Sequence, residues 1–114
     1  MNKRKIGKQF EKLAEEYLKN KGYQIIAKNF HSQYGEIDII ALKDEILVFI
    51  EVKGRNTLKY GYPEESISKK KLNSIIRTAE HFLATNTDIQ YTEIRFDIIS
   101  IFKNNIKHIL NITN

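Results

Sequence analysis

Apolar residues recur every three or four positions in two stretches of the chain, which is the spacing of one face of an α-helix. The first helix is predicted from Lys5 to Lys21, and Gly22 suits its C-cap because glycine adopts a left-handed conformation without a Cβ penalty. The second helix is predicted to follow Ser68, a residue type that favours N-caps. The two stripes are Ile6, Phe10, Leu13, Ala14, Tyr17 and Leu18, then Leu72, Ile75, Ile76, Ala79, Phe82 and Leu83.

Shorter runs rich in Ile, Val and Phe predict five strands. They are Tyr23–Ala27, Gly35–Leu42, Ile46–Lys53, Glu93–Phe102 and Ile106–Ile112, with a turn at Asn104–Asn105. The polar segment Lys28–Tyr34 is predicted as a connection, and Gly54–Glu65 as a loop. Because residues 43–45 form a short link, the second and third strands should form an antiparallel hairpin. The order α-β-β-β-α-β-β predicts an α/β domain with a mixed central sheet flanked by helices.

The length and composition fit one small domain. A chain of 114 residues can bury one core, and the absence of cysteine excludes disulfides and cysteine zinc sites. No apolar segment follows the basic N-terminus as a signal peptide requires, and no run approaches the roughly 18 apolar residues of a membrane span. The sequence therefore predicts a cytoplasmic protein without membrane partners.

Candidate chemistry lies on the second and third strands, at Asp38, Glu51 and Lys53. Side chains alternate across a strand, so Glu51 and Lys53 should share one face, and Asp38 should share its face with Glu36, Ile40 and Leu42. The third strand is otherwise apolar on both faces, which indicates a central position. Glu51 would then be partly buried, and a buried carboxylate needs a cation or hydrogen-bond donors.

The strand register adds a second argument for a metal. A two-residue turn at Asp44–Glu45 would place Asp38 opposite Glu51, and opposed like charges destabilise a strand pair unless an ion lies between them. Two carboxylates suit Mg²⁺ or Mn²⁺. Such an ion could polarise a phosphodiester and activate water, while Lys53 could stabilise developing negative charge. The alternative is that all three residues lie on a solvated sheet face.

Two glutamates of the first helix are further candidates. Glu11 lies at the edge of the apolar stripe and could look towards the sheet, and Glu15 lies one turn further along the helix. Glu11 could equally be an ordinary surface residue, and a surface role is favoured for Glu15. His31, His81 and His108 show no metal-ligand spacing, so surface or packing roles are expected for them.

Positive charge is clustered, which favours a polyanionic partner. The net charge is +5, and two clusters stand out at Lys3–Lys5 and at Lys69, Lys70 and Lys71. Lysines in such clusters bind phosphates and release counterions, although the same residues could form a solvated surface. Lys69, Lys70, Lys71 and Arg55 are the candidate nucleic-acid contacts.

Two further pairs of residues admit simple structural roles. Tyr60 and Tyr62 could stack on bases or cover a core edge. Arg95 and Asp97 share one strand face and could pair with each other.

The two strand motifs also carry a resemblance. Gly35-Glu36-Ile37-Asp38-Ile39-Ile40, followed by Val48-Phe49-Ile50-Glu51-Val52-Lys53, resembles the small bacterial YraN-like family. That family is similar to the restriction-endonuclease-like, or PD-(D/E)xK, superfamily and to archaeal Holliday-junction resolvases. The resemblance covers residues 7–101 and includes Gly7, Glu11, Ala14, Tyr17-Leu18, Gly22-Tyr23, Asn29, Gly61, Pro63, Lys71 and Arg95-Phe96-Asp97.

The resemblance implies roles for individual residues. It implies one PD-(D/E)xK domain over residues 1–114, with Asp38, Glu51 and the Val52 carbonyl as metal ligands. Lys53 would be the catalytic lysine, and Glu11 would match the acidic residue of the first helix. Phe10 and Gly54 depart from the superfamily pattern, where a small residue and threonine are common, and neither change is expected to touch the site.

The function implied is hydrolysis of DNA phosphodiesters by a Mg²⁺- or Mn²⁺-dependent endonuclease, on branched or processed DNA. The resolvase likeness also implies a homodimer. A nucleic-acid-binding module that kept the fold without catalysis is the alternative, and a structural or partner-binding protein is a third reading.

Overall fold

A computed structural model describes residues 3–59 and 61–113 as a five-stranded mixed sheet with two α-helices. The sheet order is β1-β2-β3-β4-β5, in which β3 and β4 pair in parallel and the other neighbours are antiparallel. The elements are α1 (Lys3–Asn20), β1 (Gln24–Ser32), β2 (Gly35–Lys43), β3 (Ile46–Arg55), a 3₁₀ helix (Pro63–Ser66), α2 (Lys69–Thr85), β4 (Glu93–Phe102) and β5 (Asn105–Ile109). The predicted α/β class with a mixed sheet is confirmed.

The helices lie on opposite faces of the sheet, so the apolar stripe of each helix covers one face. The core beneath α1 consists of Ala14, Leu18, Ile39, Ala41, Val48, Ile50, Ile99 and Ile101. The core beneath α2 consists of Ile37, Ile40, Leu47, Phe49, Ile75, Ala79, Phe82 and Phe96. β3 contributes to both cores and lies at the centre of the sheet, as its uninterrupted apolar run predicted.

Local signals for turns and caps are confirmed at three places. The amide of Tyr23 donates to the Leu18 carbonyl at 2.9 Å, and Gly22 takes φ 91 to allow this helix end. Asp44 and Glu45 both have positive φ, which is the requirement of the tight hairpin turn between β2 and β3. The Ser68 hydroxyl accepts a hydrogen bond from the Lys71 amide at 3.1 Å, so Ser68 is the N-cap of α2.

Several predicted boundaries are wrong. β1 continues through Ser32, because an edge strand with one exposed side tolerates the polar residues that indicated a connection. The segment predicted as a loop after Gly54 contains the end of β3 and the 3₁₀ helix. The last hairpin turns at Lys103–Asn104, one residue earlier than predicted, and β5 ends at Ile109.

A buried polar network ties α1 and the C-terminal segment to β4. Arg95 donates to Asp97 at 2.9 Å, which confirms the expected pair, and His108 contacts Asp97 at 2.8 Å. The Asn111 amide donates to the same carboxylate at 2.9 Å, while the Tyr17 hydroxyl contacts the other nitrogen of His108 at 3.2 Å. The network therefore fixes where α1 lies against the sheet.

Within residues 3–59 and 61–113, neither helix is long and apolar enough to cross a membrane.

Candidate functional site

Asp38 lies where the side-chain alternation of β2 breaks. Ile37 packs beneath α2, whereas Ile39 packs beneath α1, although strict alternation would put both on one face. Asn29 of β1, between the Lys28–Ile39 and Phe30–Ile37 pairs, has φ 51 and marks the same irregularity. The break explains why Asp38 lines a pocket with α1 residues rather than packing with Ile40 beneath α2, so the predicted face is wrong.

The carboxylate of Asp38 interrupts the backbone pairing between β2 and β3. It accepts a hydrogen bond from the Val52 amide at 2.8 Å. The β2–β3 ladder follows the predicted register and ends at Ile39 and Ile50, one pair before Asp38 and Glu51. The Val52 amide therefore donates to the Asp38 side chain instead of to a backbone carbonyl of β2. Asp38 and Glu51 lie just beyond the last regular pair of the two strands.

Glu51 is a buried carboxylate with an unsatisfied oxygen. Only 6% of the residue is exposed, and its Oε2 atom has no hydrogen-bond partner. The Lys71 ammonium lies 3.6 Å from Oε2, which is an ion pair but too long for a good hydrogen bond. Asp38 is buried to the same extent, so the reading of a solvated sheet face is wrong for both acids.

Burial raises the pKa of Glu51 to about 8, and Asp38 adds to the shift as a hydrogen-bond partner and as a like charge. The positive charges of Lys71 and Lys53 oppose the shift without cancelling it. Without an ion, the site therefore stores a proton on Glu51. A divalent cation would replace that proton, because it satisfies both carboxylates.

Stability of the metal-free protein should fall as the pH rises from 4.5 to about 8, because folded Glu51 keeps a proton that the unfolded chain releases. We expect Glu51→Gln to remove this contribution and to gain about 1–3 kcal/mol over wild type at pH 9. Urea unfolding with EDTA at pH 5 and pH 9 measures the difference. Glu16→Gln, at an exposed position of α1, serves as the control, and equal pH dependence in all three proteins would contradict the expectation.

The acidic pair opens into a pocket of ≈ 270 Å³ between α1 and the ends of β2 and β3. Its lining residues are Ile6, Gly7, Phe10, Glu11, Asp38, Glu51, Val52, Lys53 and Gly54. Lys53 is thus brought to the two acids, as predicted. Glu11 also reaches the pocket, where burial and then the charge of Asp38 raise its pKa.

Phe10 and Gly54 form one wall of this pocket. The Phe10 ring lies so close to Gly54 that any Cβ at position 54 would clash with it. The large Phe10 side chain on α1 therefore fits only because position 54 of β3 has no side chain. The expectation that these two positions leave the site untouched is wrong, since both shape its entrance.

The donor set fits a hard divalent cation. Two buried carboxylates, one with an unsatisfied oxygen, are the ligands that Mg²⁺ and Mn²⁺ prefer. Across residues 3–59 and 61–113, no three His, Asp or Glu side chains converge as a metal-binding group. Asp38 and Glu51 are the closest acidic donors, and the remaining positions of an ion would fall to water or to a backbone oxygen such as the predicted Val52 carbonyl.

The other candidates divide between the site and the surface. Lys71 comes to the site, as the ion-pair partner of Glu51. Lys69 and Lys70 are exposed at the start of α2, and Arg55 ends β3 two residues beyond Lys53. The contact between Lys71 and Glu51 joins distant segments, so no periodicity in the sequence could have predicted it.

Two other candidates, Glu15 and Tyr62, lie at the surface. Glu15 forms ion pairs with Lys19 at 3.1 Å and Lys28 at 3.3 Å, as an ordinary surface glutamate does. Tyr62 is exposed. Tyr60 and the side chains of Lys3–Lys5 lie outside the described residues.

Histidines divide between surface and packing roles. His31 is exposed and contacts Glu36, whereas His108 belongs to the buried Asp97 network.

Known proteins match nearly the whole chain. A family model described as "Uncharacterised protein family UPF0102" matches residues 10–101. A UPF0102 protein of Persephonella marina is 51% identical over 92% of this chain and 90% of its own length. The UPF0102 proteins of a Sulfurihydrogenibium species and of Clostridioides difficile are 47% and 42% identical, each over 97% of this chain and over 96% and 98% of their own lengths. The YraN-like resemblance is thereby confirmed, and the chain belongs to the UPF0102 family.

Proposed function

We propose that this protein is a divalent-metal-dependent endonuclease that hydrolyses phosphodiester bonds of DNA. The observation that carries the proposal is the buried Oε2 atom of Glu51, which has no hydrogen-bond partner and lies beside a second buried carboxylate. Such a pair is costly to keep in a fold unless a cation binds it. The PD-(D/E)xK resemblance assigns the same residues to a nuclease site.

Each residue of the pocket has a role in the proposal. A bound Mg²⁺ or Mn²⁺ would polarise the phosphodiester and lower the pKa of a water molecule. Asp38 and Glu51 would hold the ion, and the hydrogen bond from the Val52 amide keeps Asp38 in place. Lys53 places an ammonium group in the same pocket to stabilise developing negative charge on the phosphate oxygens.

Two further side chains act at the edge of the site. Lys71 lies 3.6 Å from Glu51 in the free protein and becomes available to a phosphate once an ion occupies the site. Glu11 keeps its acidic group at the entrance, where it can accept a proton from water or orient it.

The substrate class follows from the charge and the open form of the site. A net charge of +5 and the cluster at Lys69, Lys70 and Lys71 favour a nucleic acid over a small phosphate ester. The resolvase likeness points to branched or processed DNA. It also implies a homodimer, which would present two sites to two strands, and both statements stay predictions.

A nucleic-acid-binding module without catalysis is the second candidate. The observation in its favour is the Lys71–Glu51 ion pair, because an ammonium group can replace a metal as the partner of a buried carboxylate. This candidate accounts for the basic surface equally well. It leaves unexplained why Asp38, Glu51 and Lys53 share one pocket.

A cleavage assay separates the two candidates. Purified protein is incubated with supercoiled, linear, single-stranded and four-way-junction DNA, with Mg²⁺, with Mn²⁺ or with EDTA. The endonuclease proposal predicts cleavage of at least one substrate that requires the metal and stops with EDTA. Binding without cleavage under every metal condition would favour the module, and cleavage that persists with EDTA would contradict a metal-dependent site.

A further inference from the structure

The turn between β1 and β2 is held firmly against α2. The Ser32 hydroxyl lies 2.9 Å from that of Thr78, and the Ser74 hydroxyl donates to the Tyr34 carbonyl. Gly35 has φ 148, and a Cβ there would clash with the Ser74 hydroxyl. The backbone on both sides of Tyr34 is therefore fixed by polar contacts and by close approach.

The Tyr34 side chain, in contrast, is presented to solvent. Its residue is 43% exposed, and the Arg77 guanidinium lies 5.5 Å from its ring centroid. Both line a pocket of ≈ 430 Å³ together with Glu80 and His81. An exposed ring on a fixed backbone, next to a guanidinium group, is the arrangement on which proteins stack nucleobases.

This pocket lies close to the metal site by two independent routes. Along α2, Arg77 follows Lys71 by six residues, a rise of roughly 9 Å. Along β2, Asp38 follows Tyr34 by four residues, a distance of roughly 13 Å. Both backbone separations end at the metal site, where Lys71 of α2 contacts Glu51 of β3.

The charges of the pocket select a base rather than a phosphate. Arg77 continues the helix face that begins with Lys70, seven residues earlier, and this face attracts the backbone. The Glu80 carboxylate repels a phosphate within the pocket but accepts hydrogen bonds from an N–H group of a base, which includes the N3–H group of thymine. The ring of Tyr34 supplies the stacking surface.

We propose that Tyr34 and Arg77 form a subsite for an unpaired nucleobase and its adjacent phosphate. The inference rests on the proposed function, because it names the substrate feature that the site would recognise. Base pairs of a continuous duplex hide their faces, whereas single strands, ends and branch points expose them. The subsite therefore selects nucleic acid with unpaired bases.

Binding without metal tests the subsite separately from catalysis. Fluorescence anisotropy with EDTA measures the Kd of a labelled oligothymidine dodecamer and of a blunt duplex of equal length. Tyr34→Ala should weaken single-strand binding about tenfold and duplex binding less than twofold, while Tyr34→Phe keeps wild-type affinity. Tyr91→Ala, at another exposed tyrosine, is the matched control and should change neither Kd.

The cation has its own control. Arg77→Gln should reduce the slope of log affinity against log salt concentration by about 0.7 for the single strand. Lys103→Gln is the matched control. It also removes one positive charge, from an ammonium group that lies 5.3 Å from the Phe102 ring centroid, and it should change the slope less than Arg77→Gln does.

The outcomes distinguish failure of the Tyr34–Arg77 subsite from failure of the proposed nuclease function. If Tyr34→Ala and Tyr91→Ala both bind the single strand as wild type does, the subsite is overturned and the metal site is untouched. If Tyr34→Ala weakens single strand and duplex equally, the preference for unpaired bases is overturned. Wild-type protein that binds neither probe and cleaves no DNA would overturn the proposed function together with the subsite.

Discussion

Replacing Lys53 with methionine is expected to lower the rate of metal-dependent DNA cleavage about 10²–10³-fold. Methionine keeps the length and apolar stem of lysine and removes the ammonium group. Lys53 shares its pocket with Asp38 and Glu51, and its charge contributes to the electrostatics of Glu51. Loss of that charge should therefore affect the transition state, in which negative charge grows on the phosphate, more than it affects binding.

The measurement is the single-turnover cleavage rate, alongside the Kd for the same DNA with EDTA. We expect Kd to change less than about threefold, since one phosphate contact of many is lost. Lys12→Met, at an exposed position of α1, is the matched control. A Lys53→Met protein that cleaves at the wild-type rate would assign the activity to another site or to a contaminant.

The second large effect is on stability: Asp97→Asn should destabilise the fold by about 3–5 kcal/mol. Asp97 is 1% exposed and receives hydrogen bonds from Arg95, His108 and the Asn111 amide. Burial alone would raise the pKa of Asp97, but its hydrogen bonds with His108, Arg95 and Asn111 lower it overall. Asparagine leaves the guanidinium of Arg95 without its countercharge in a half-buried position.

Urea unfolding at pH 7 measures this loss, with Asp88→Asn at an exposed position as the control. Because folding lowers the pKa of Asp97, its contribution to stability is complete above pH 3.8 and declines as the pH falls further. Wild type and Asp97→Asn should therefore become more alike in strong acid. A loss below about 1 kcal/mol at pH 7 would show that the network is not a principal support of α1.

Periodicity and turn chemistry predicted the elements whose local signals agree with their packing. α1, α2 and the β2–β3 hairpin follow from apolar spacing, Gly22, Ser68 and the two-residue turn, and β4 has its predicted bounds. The second half of β1 was missed because it is an edge strand. Its polar residues 28–32 resemble a loop when neighbouring strands are not known.

The candidate site was predicted in its residues but not in its geometry. The register brought Asp38 and Glu51 together, yet Asp38 turns to the α1 side because alternation breaks opposite Asn29. That irregularity depends on contacts between neighbouring strands, which cannot be predicted from the order of polar and apolar residues within one strand. The same is true of the Phe10–Gly54 contact, in which two apparent departures compensate each other across the pocket.

Calorimetric titration with Mn²⁺ is the most direct test that Asp38 and Glu51 jointly hold an ion. We expect one ion per wild-type chain and an affinity at least about tenfold lower for Asp38→Asn. Asp44→Asn, in the nearby hairpin turn, should bind as wild type does, since asparagine tolerates the positive φ there. Equal Mn²⁺ affinity in wild type and Asp38→Asn would contradict the metal site and the nuclease proposal built on it.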